Sequence, residues 1–210
     1  MTLTLLSYGE KYNMDTKMYA NYITTVKLNL DINKIKQSCY TLNNIVKNFN
    51  ISDSGYEDDS GAAPKTTKVH EQYNLFLHPL EEFHSLYFEI QKLFRQLNTN
   101  EEEYYIQCWL NLYKQGNFID WHEHYPAHLN AYHGFYCVDC EPSKTSYRLP
   151  NVEDIVDIDS KNNLLVLSKS DGDWHRTWPW QFADRDRITI AFDIVPRKCI
   201  TAFPGVWIPI

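Results

Sequence analysis

Apolar residues change their spacing halfway along the chain, and the change divides it into two predicted parts. Near the N-terminus Val26, Leu28 and Leu30 alternate with Lys27 and Asn29, the period of a half-buried strand. Ile32, Ile35, Cys39, Leu42 and Val46 then recur at helical spacing, with Asp31 placed as an N-cap. A second amphipathic stripe follows at Phe83, Tyr87, Ile90, Phe94 and Leu97, and Pro79 stands where the first turn of a helix tolerates proline. Between the two helices, residues 51–68 (ISDSGYEDDSGAAPKTTK) turn polar. This stretch is read as a mobile loop rather than a domain boundary, because neither flank could fold alone.

From residue 105 the period becomes two. Ile106, Cys108, Leu110 and Leu112 share one face of a strand, and Tyr105, Gln107, Trp109, Asn111 and Tyr113 share the other. Near the end Ile188, Ile190, Phe192 and Ile194 form one face and Arg187, Thr189, Ala191 and Asp193 the other. In both strands the apolar face suits helix packing and the polar face suits a lined cavity. Further strands are predicted around His122, at Tyr132–Val138 and at Leu164–Leu167. Helices followed by a run of short strands predict an α+β, mainly β architecture, a sandwich or barrel with helical support. The chain reads as one domain over residues 1–210, with 1–100 as helical support and 105–196 as the β core.

Composition narrows the function. Hydrophobic residues make up 43 % of the 210, enough for a real core, and the net charge of -7 argues against a binder of phosphate backbones. No apolar run approaches the roughly 18 residues that span a bilayer, and the first residues lack the pattern of a secretory signal. A cytoplasmic protein with reduced thiols is expected, since its five cysteines are an odd number. Cys137-Val-Asp-Cys140 has no second pair at zinc-ribbon spacing and reads as two small strand-end residues.

Histidine placement carries the chemistry. In an extended segment His122 and His124 point the same way, and imidazole nitrogen binds Zn, Fe, Cu or Ni. His175, in Gly-Asp-Trp-His-Arg, is the candidate third ligand. The plain alternative is a pair of solvated histidines beside Asp120 and Glu123. Arg187 and Thr189 lie on one strand face. A guanidinium buried there needs an anion, and its fork matches a carboxylate. Salt bridges to Asp186 or Asp193 are the alternatives, and Arg185 competes as the anion binder. Trp174, Trp178 and Trp180 are candidates for pocket walls or for packing.

On these residues the segment 105–196 resembles the 2-oxoglutarate- and Fe(II)-dependent oxygenases, especially the short phage and marine-bacterial type. Tyr113, Gly116, His122, His175 and Arg187-Ile188-Thr189 fall in the family's order, and WLNLYKQGNFIDWHEH is the best single stretch. The resemblance implies a double-stranded β-helix (jelly roll) and a hydroxylase-type dioxygenase. Its cofactors would be Fe(II), held by two histidines and a carboxylate, and 2-oxoglutarate as cosubstrate. The primary substrate is left open. Carried over by position, His122 and His175 are iron ligands, Arg187 and Thr189 bind the far carboxylate of 2-oxoglutarate, and Tyr113 or, more weakly, Tyr136 adds a hydrogen bond.

The departure is His124, which stands where that family has Asp or Glu; His124 is favoured as the third ligand over Asp120. Gly116, His122 and His124 also match the Gly-x5-His-x-His spacing of cupins. A three-histidine cupin metalloenzyme without 2-oxoglutarate, or a non-catalytic jelly-roll binding module, are therefore the alternatives.

Overall fold

Alternation gives each late strand one apolar and one polar face, and a computed structural model shows what covers each. It describes residues 16–19, 22–49, 65–66, 74–202 and 205–210. The helices are α1 (Ile32–Phe49) and α2 (Glu81–Leu97). The strands are β1 (Thr16–Tyr19), β2 (Ile23–Lys27), β3 (Lys65–Thr66), β4 (Tyr104–Tyr113), β5 (Tyr132–Asp139), β6 (Ser143–Arg148), β7 (Val156–Ser160), β8 (Leu164–Lys169), β9 (Trp174–Thr177), β10 (Arg187–Pro196) and β11 (Ile208–Pro209). Among the described residues the molecule is mainly β with two helices, as expected.

One antiparallel sheet runs β1-β2-β8-β5-β10-β4-β11, with β3 joined to β4; a second sheet runs β7-β6-β9. β10 lies at the centre of the large sheet, paired along its length with β4 and with β5. The register sets Arg187 opposite Tyr113 and Asp193 opposite both Gln107 and His133. The apolar faces of β4 and β10 meet α1 and α2 in the main core, where Ile35, Leu42, Phe83 and Ile90 pack with Ile106, Leu110, Ile190 and Phe192. A smaller core of Phe135, Cys137, Tyr147, Ile158 and Val166 joins the two sheets. The polar faces of β4 and β10 turn toward the small sheet.

Local chemistry accounts for the element ends. Asp31 caps α1, its Oδ1 accepting from the Lys34 N–H at 3.2 Å. α2 starts at Glu81 after Leu80, so Pro79 precedes the helix instead of sitting in its first turn. β2 ends at Lys27, earlier than the alternation through Leu30 suggests, because the backbone N–H groups of Leu28 and Leu30 turn to Asn163. Of the segment 51–68 expected as a mobile loop, Lys65–Thr66 pair with β4, and the rest lies outside the described residues. No helix among the described residues is long and apolar enough to cross a membrane.

Candidate metal centre

The chain leaves β4 through a left-handed turn at Gly116 (φ +85°), a conformation that favours glycine. It then fastens to the segment around β9. Gly116 N–H donates to the Trp180 carbonyl at 2.8 Å, Ile119 N–H to Thr177 Oγ1 at 2.9 Å, and Thr177 N–H to the Ile119 carbonyl at 3.0 Å. His122 and His175 exchange both backbone hydrogen bonds, at 3.0 and 2.9 Å. The strand expected around His122 is thus a single bridge to β9. That bridge places His122 and His175, the first and third sequence candidates for one site, side by side.

The three imidazoles converge. One nitrogen from each of His122, His124 and His175 lies within 4.8 Å of the others. Two of the rings have a defined orientation. His122 Nδ1 donates to the Asp120 carbonyl at 2.8 Å, and a carbonyl can only accept, so Nδ1 carries the proton and Nε2 the lone pair. His124 Nδ1 lies 2.6 Å from Asp193 Oδ1, which makes Nε2 its candidate ligand atom. The donor set fits a borderline metal such as Fe, Zn, Ni or Cu. The Asp120 carboxylate is turned back to the Trp121 N–H at 2.8 Å and is not part of the cluster.

A cavity of about 540 Å³ opens between the sheets, and the three histidines line it together with Tyr113, Arg187 and Thr189. Arg187 is 1 % exposed. Its Nε donates to Ser143 Oγ at 3.0 Å, a terminal nitrogen lies 3.5 Å from Ser160 Oγ, and its guanidinium lies over the Tyr113 ring at 5.0 Å. No carboxylate pairs with it among the described residues. Asp186 pairs instead with Lys114 at 2.6 Å, and Asp193 with His124. Arg185, the competing anion binder, is bonded to the Glu141 carbonyl and Asp139 outside the cavity. Burial pushes the Tyr113 hydroxyl up to about 12, against the Arg187 charge and a Thr177 hydrogen bond, so it remains a donor at neutral pH.

Other sequence candidates fall elsewhere. Tyr136 faces the helices, buried in the main core, and its hydroxyl donates to Asn163 Oδ1; it does not join the cavity lining. Its neighbours on β5 explain this, since His133 and Phe135 take the inward side of the alternation. Trp174 and Trp178 are exposed and Trp180 is packed, so none walls the cavity; Trp109 and Trp207 do. Cys137 and Cys140 are buried, with Cys140 Sγ 2.9 Å from the Ile188 carbonyl, and belong to no metal-binding group among the described residues.

Sequence reasoning missed four contributors. Thr145, on β6, lines the cavity with a buried hydroxyl that has no hydrogen-bond partner among the described residues. Thr177 lines it beside Tyr113. His133 and Asp173 form a buried pair at 2.7 Å directly beside His175, whose ring stacks on His133 at 4.7 Å. Only the inward alternation along β5 and β10 hinted at His133 and at the role of Asp193.

No protein-family model and no curated protein matches this sequence. Solved structures do. A prolyl hydroxylase of Trichoplax adhaerens, solved with a hypoxia inducible factor peptide, superposes with a TM-score of 0.62 over 85 % of this chain and 86 % of its own, at 14 % identity. The viral collagen prolyl hydroxylase of Paramecium Bursaria Chlorella virus-1, in complex with 2-oxoglutarate, gives 0.55 over 83 % and 95 %, at 12 % identity. HygX of Streptomyces hygroscopicus, with iron bound, gives 0.55 over 83 % and 82 %, at 7 % identity. The chain shares its overall fold with these three structures. At 83–85 % of the chain, the superposed part extends well beyond residues 105–196.

Proposed function

We propose that the protein is a 2-oxoglutarate- and Fe(II)-dependent dioxygenase of the hydroxylase type. In this reading residues 1–210 are one domain, and the two facing sheets are a double-stranded β-helix (jelly-roll) core. The observation that carries it is the pairing, in one cavity, of three convergent imidazoles with a buried guanidinium that no carboxylate among the described residues neutralises. His122, His124 and His175 would hold the metal. Arg187 would take the far carboxylate of 2-oxoglutarate through its fork, with Thr189 and Tyr113 donating further hydrogen bonds. Bound iron and 2-oxoglutarate would supply the oxidising chemistry, in which O2 converts the cosubstrate to succinate and carbon dioxide and oxidises a primary substrate. The protein's share is to neutralise the cosubstrate's charge and to fix its orientation. Core side chains such as Phe135 exclude water behind it.

Three histidines without a carboxylate ligand favour a second reading, a cupin-like metalloenzyme that needs no 2-oxoglutarate. One experiment separates the two. Anaerobic addition of 2-oxoglutarate to the Fe(II)-loaded protein is expected to produce a weak visible charge-transfer band, and admission of air is expected to form succinate. Tight metal binding with neither signal overturns the 2-oxoglutarate assignment and leaves the cupin-like one.

A further inference from the structure

His124 stands where a carboxylate ligand would supply negative charge, and that charge is present one hydrogen bond further out. Asp193 Oδ1 lies 2.6 Å from His124 Nδ1, across 69 residues of sequence. Its other oxygen accepts from the Tyr125 hydroxyl at 3.0 Å. The carboxylate is 1 % exposed, so bulk water does little to screen it. It reaches His124 because β10 presents Arg187, Thr189, Ala191 and Asp193 on one face, with His124 held above the far end of that row. His124 is further clamped by the His133 ring, stacked at 4.4 Å and 11°. The contrast with His122 is informative: its Nδ1 rests on a neutral backbone carbonyl, whereas that of His124 rests on a formal charge.

We propose that Asp193 is a positioning residue that replaces the missing carboxylate ligand by acting through His124. The inference rests on the three-histidine metal reading above. An iron(II) ion held by two imidazoles and a carboxylate keeps one unit of net charge, and one held by three neutral imidazoles keeps two. A carboxylate hydrogen-bonded to the third imidazole returns the sum to one. It also holds the proton on Nδ1, so that Nε2 faces the ion, and it makes that nitrogen a stronger donor.

Co(II) titration of the full chain at neutral pH, followed by calorimetry and by the visible ligand-field bands, tests this. Asp193→Asn keeps the shape and removes the charge. It is expected to weaken Co(II) binding by about 10- to 100-fold, the range for loss of such an outer partner, and to shift the visible bands. Combining it with His124→Asp, which returns a carboxylate to the ligand position, is expected to restore most of the affinity. A purely structural role for Asp193 predicts no such rescue. In the metal-free wild type, nitrogen-15 spectra of labelled histidine are expected to show His124 with its proton on Nδ1, a readout independent of whether the variants fold. Unchanged Co(II) affinity in Asp193→Asn, or a proton on Nε2 in the wild type, overturns the inference and leaves the metal centre standing. A wild type that takes up no Co(II) overturns both.

Discussion

Arg187 shows how a single residue can be costly to the fold and still central to the proposed site. Its guanidinium is buried on two serine hydroxyls and a tyrosine face, partners that satisfy hydrogen bonds without neutralising charge. Such burial opposes folding unless an anion arrives. Arg187→Met is therefore expected to raise the urea midpoint of the ligand-free protein and to weaken 2-oxoglutarate binding by at least about 100-fold, the equivalent of two charge-assisted hydrogen bonds. A lowered midpoint with unchanged binding contradicts this account. The residue was legible in the sequence because alternation placed it inward opposite a polar strand face. Its neighbours Ser143 and Ser160 were not, since small polar residues carry no pattern that marks them as buried.

At the scale of elements, strands with one apolar face were legible and strands with two polar faces were not. β4 and β10 follow from their alternation, and β5 and β8 fall on the expected strand segments Tyr132–Val138 and Leu164–Leu167. β6, β7 and β9 do not: in Ser143-Lys-Thr-Ser-Tyr-Arg, Thr145 lines the cavity and Tyr147 joins the smaller core, while Ser146 between them is buried as well. The strand's outer face is held by side-chain contacts instead, with Arg148 and Arg176 lying over Trp121 at 4.1 and 4.8 Å and Trp178 Nε1 donating to Ser146 at 2.8 Å. The crossing of β5 and β10 is tighter than its sequence suggests. A Cβ on Gly134 would meet the Val166 carbonyl at 2.2 Å and the Phe192 ring at 2.5 Å. Gly134→Ala is expected to cost about 3 kcal/mol, the upper end for overpacking, because a backbone atom cannot swing aside. Thermal unfolding should show it as a loss of roughly 6–12 °C in a domain of this size. An unchanged melting temperature would show that β5 moves freely relative to β8.

Across the whole molecule, the two sheets and the site are braced by one buried group. Asp173, just before β9, accepts from Ser168 on β8 at 2.9 Å and pairs with His133 on β5. Burial opposes its ionisation, yet the charge and hydrogen bond of His133, with Ser168, hold its carboxyl below the ordinary 3.8. A carboxyl lowered on folding lends stability in full above its unfolded value, and that stability is lost as the pH falls through the folded one. The gap in unfolding free energy between wild type and Asp173→Asn is thus expected to be constant near neutrality and to narrow between about pH 5 and about pH 3. A gap that widens on acidification would reverse the assignment.

What the sequence by itself determined was local. Two-residue alternation set which side chains of β4 and β10 share a face, helical spacing set the stripes of α1 and α2, and the interval in His-x-His set two imidazoles side by side. Tertiary structure decided which faces oppose each other. Only the pairing of β10 with both β4 and β5, and the bridge between His122 and His175, bring Asp193 to His124 and His175 to His122. It likewise decided that Tyr136 points to the helices and that the Asp120 carboxylate accepts from the Trp121 N–H. The physical reason is that periodicity reports a residue's side of its own strand, whereas a partner's identity depends on strand register, which is set by hydrogen bonds between segments far apart in the chain.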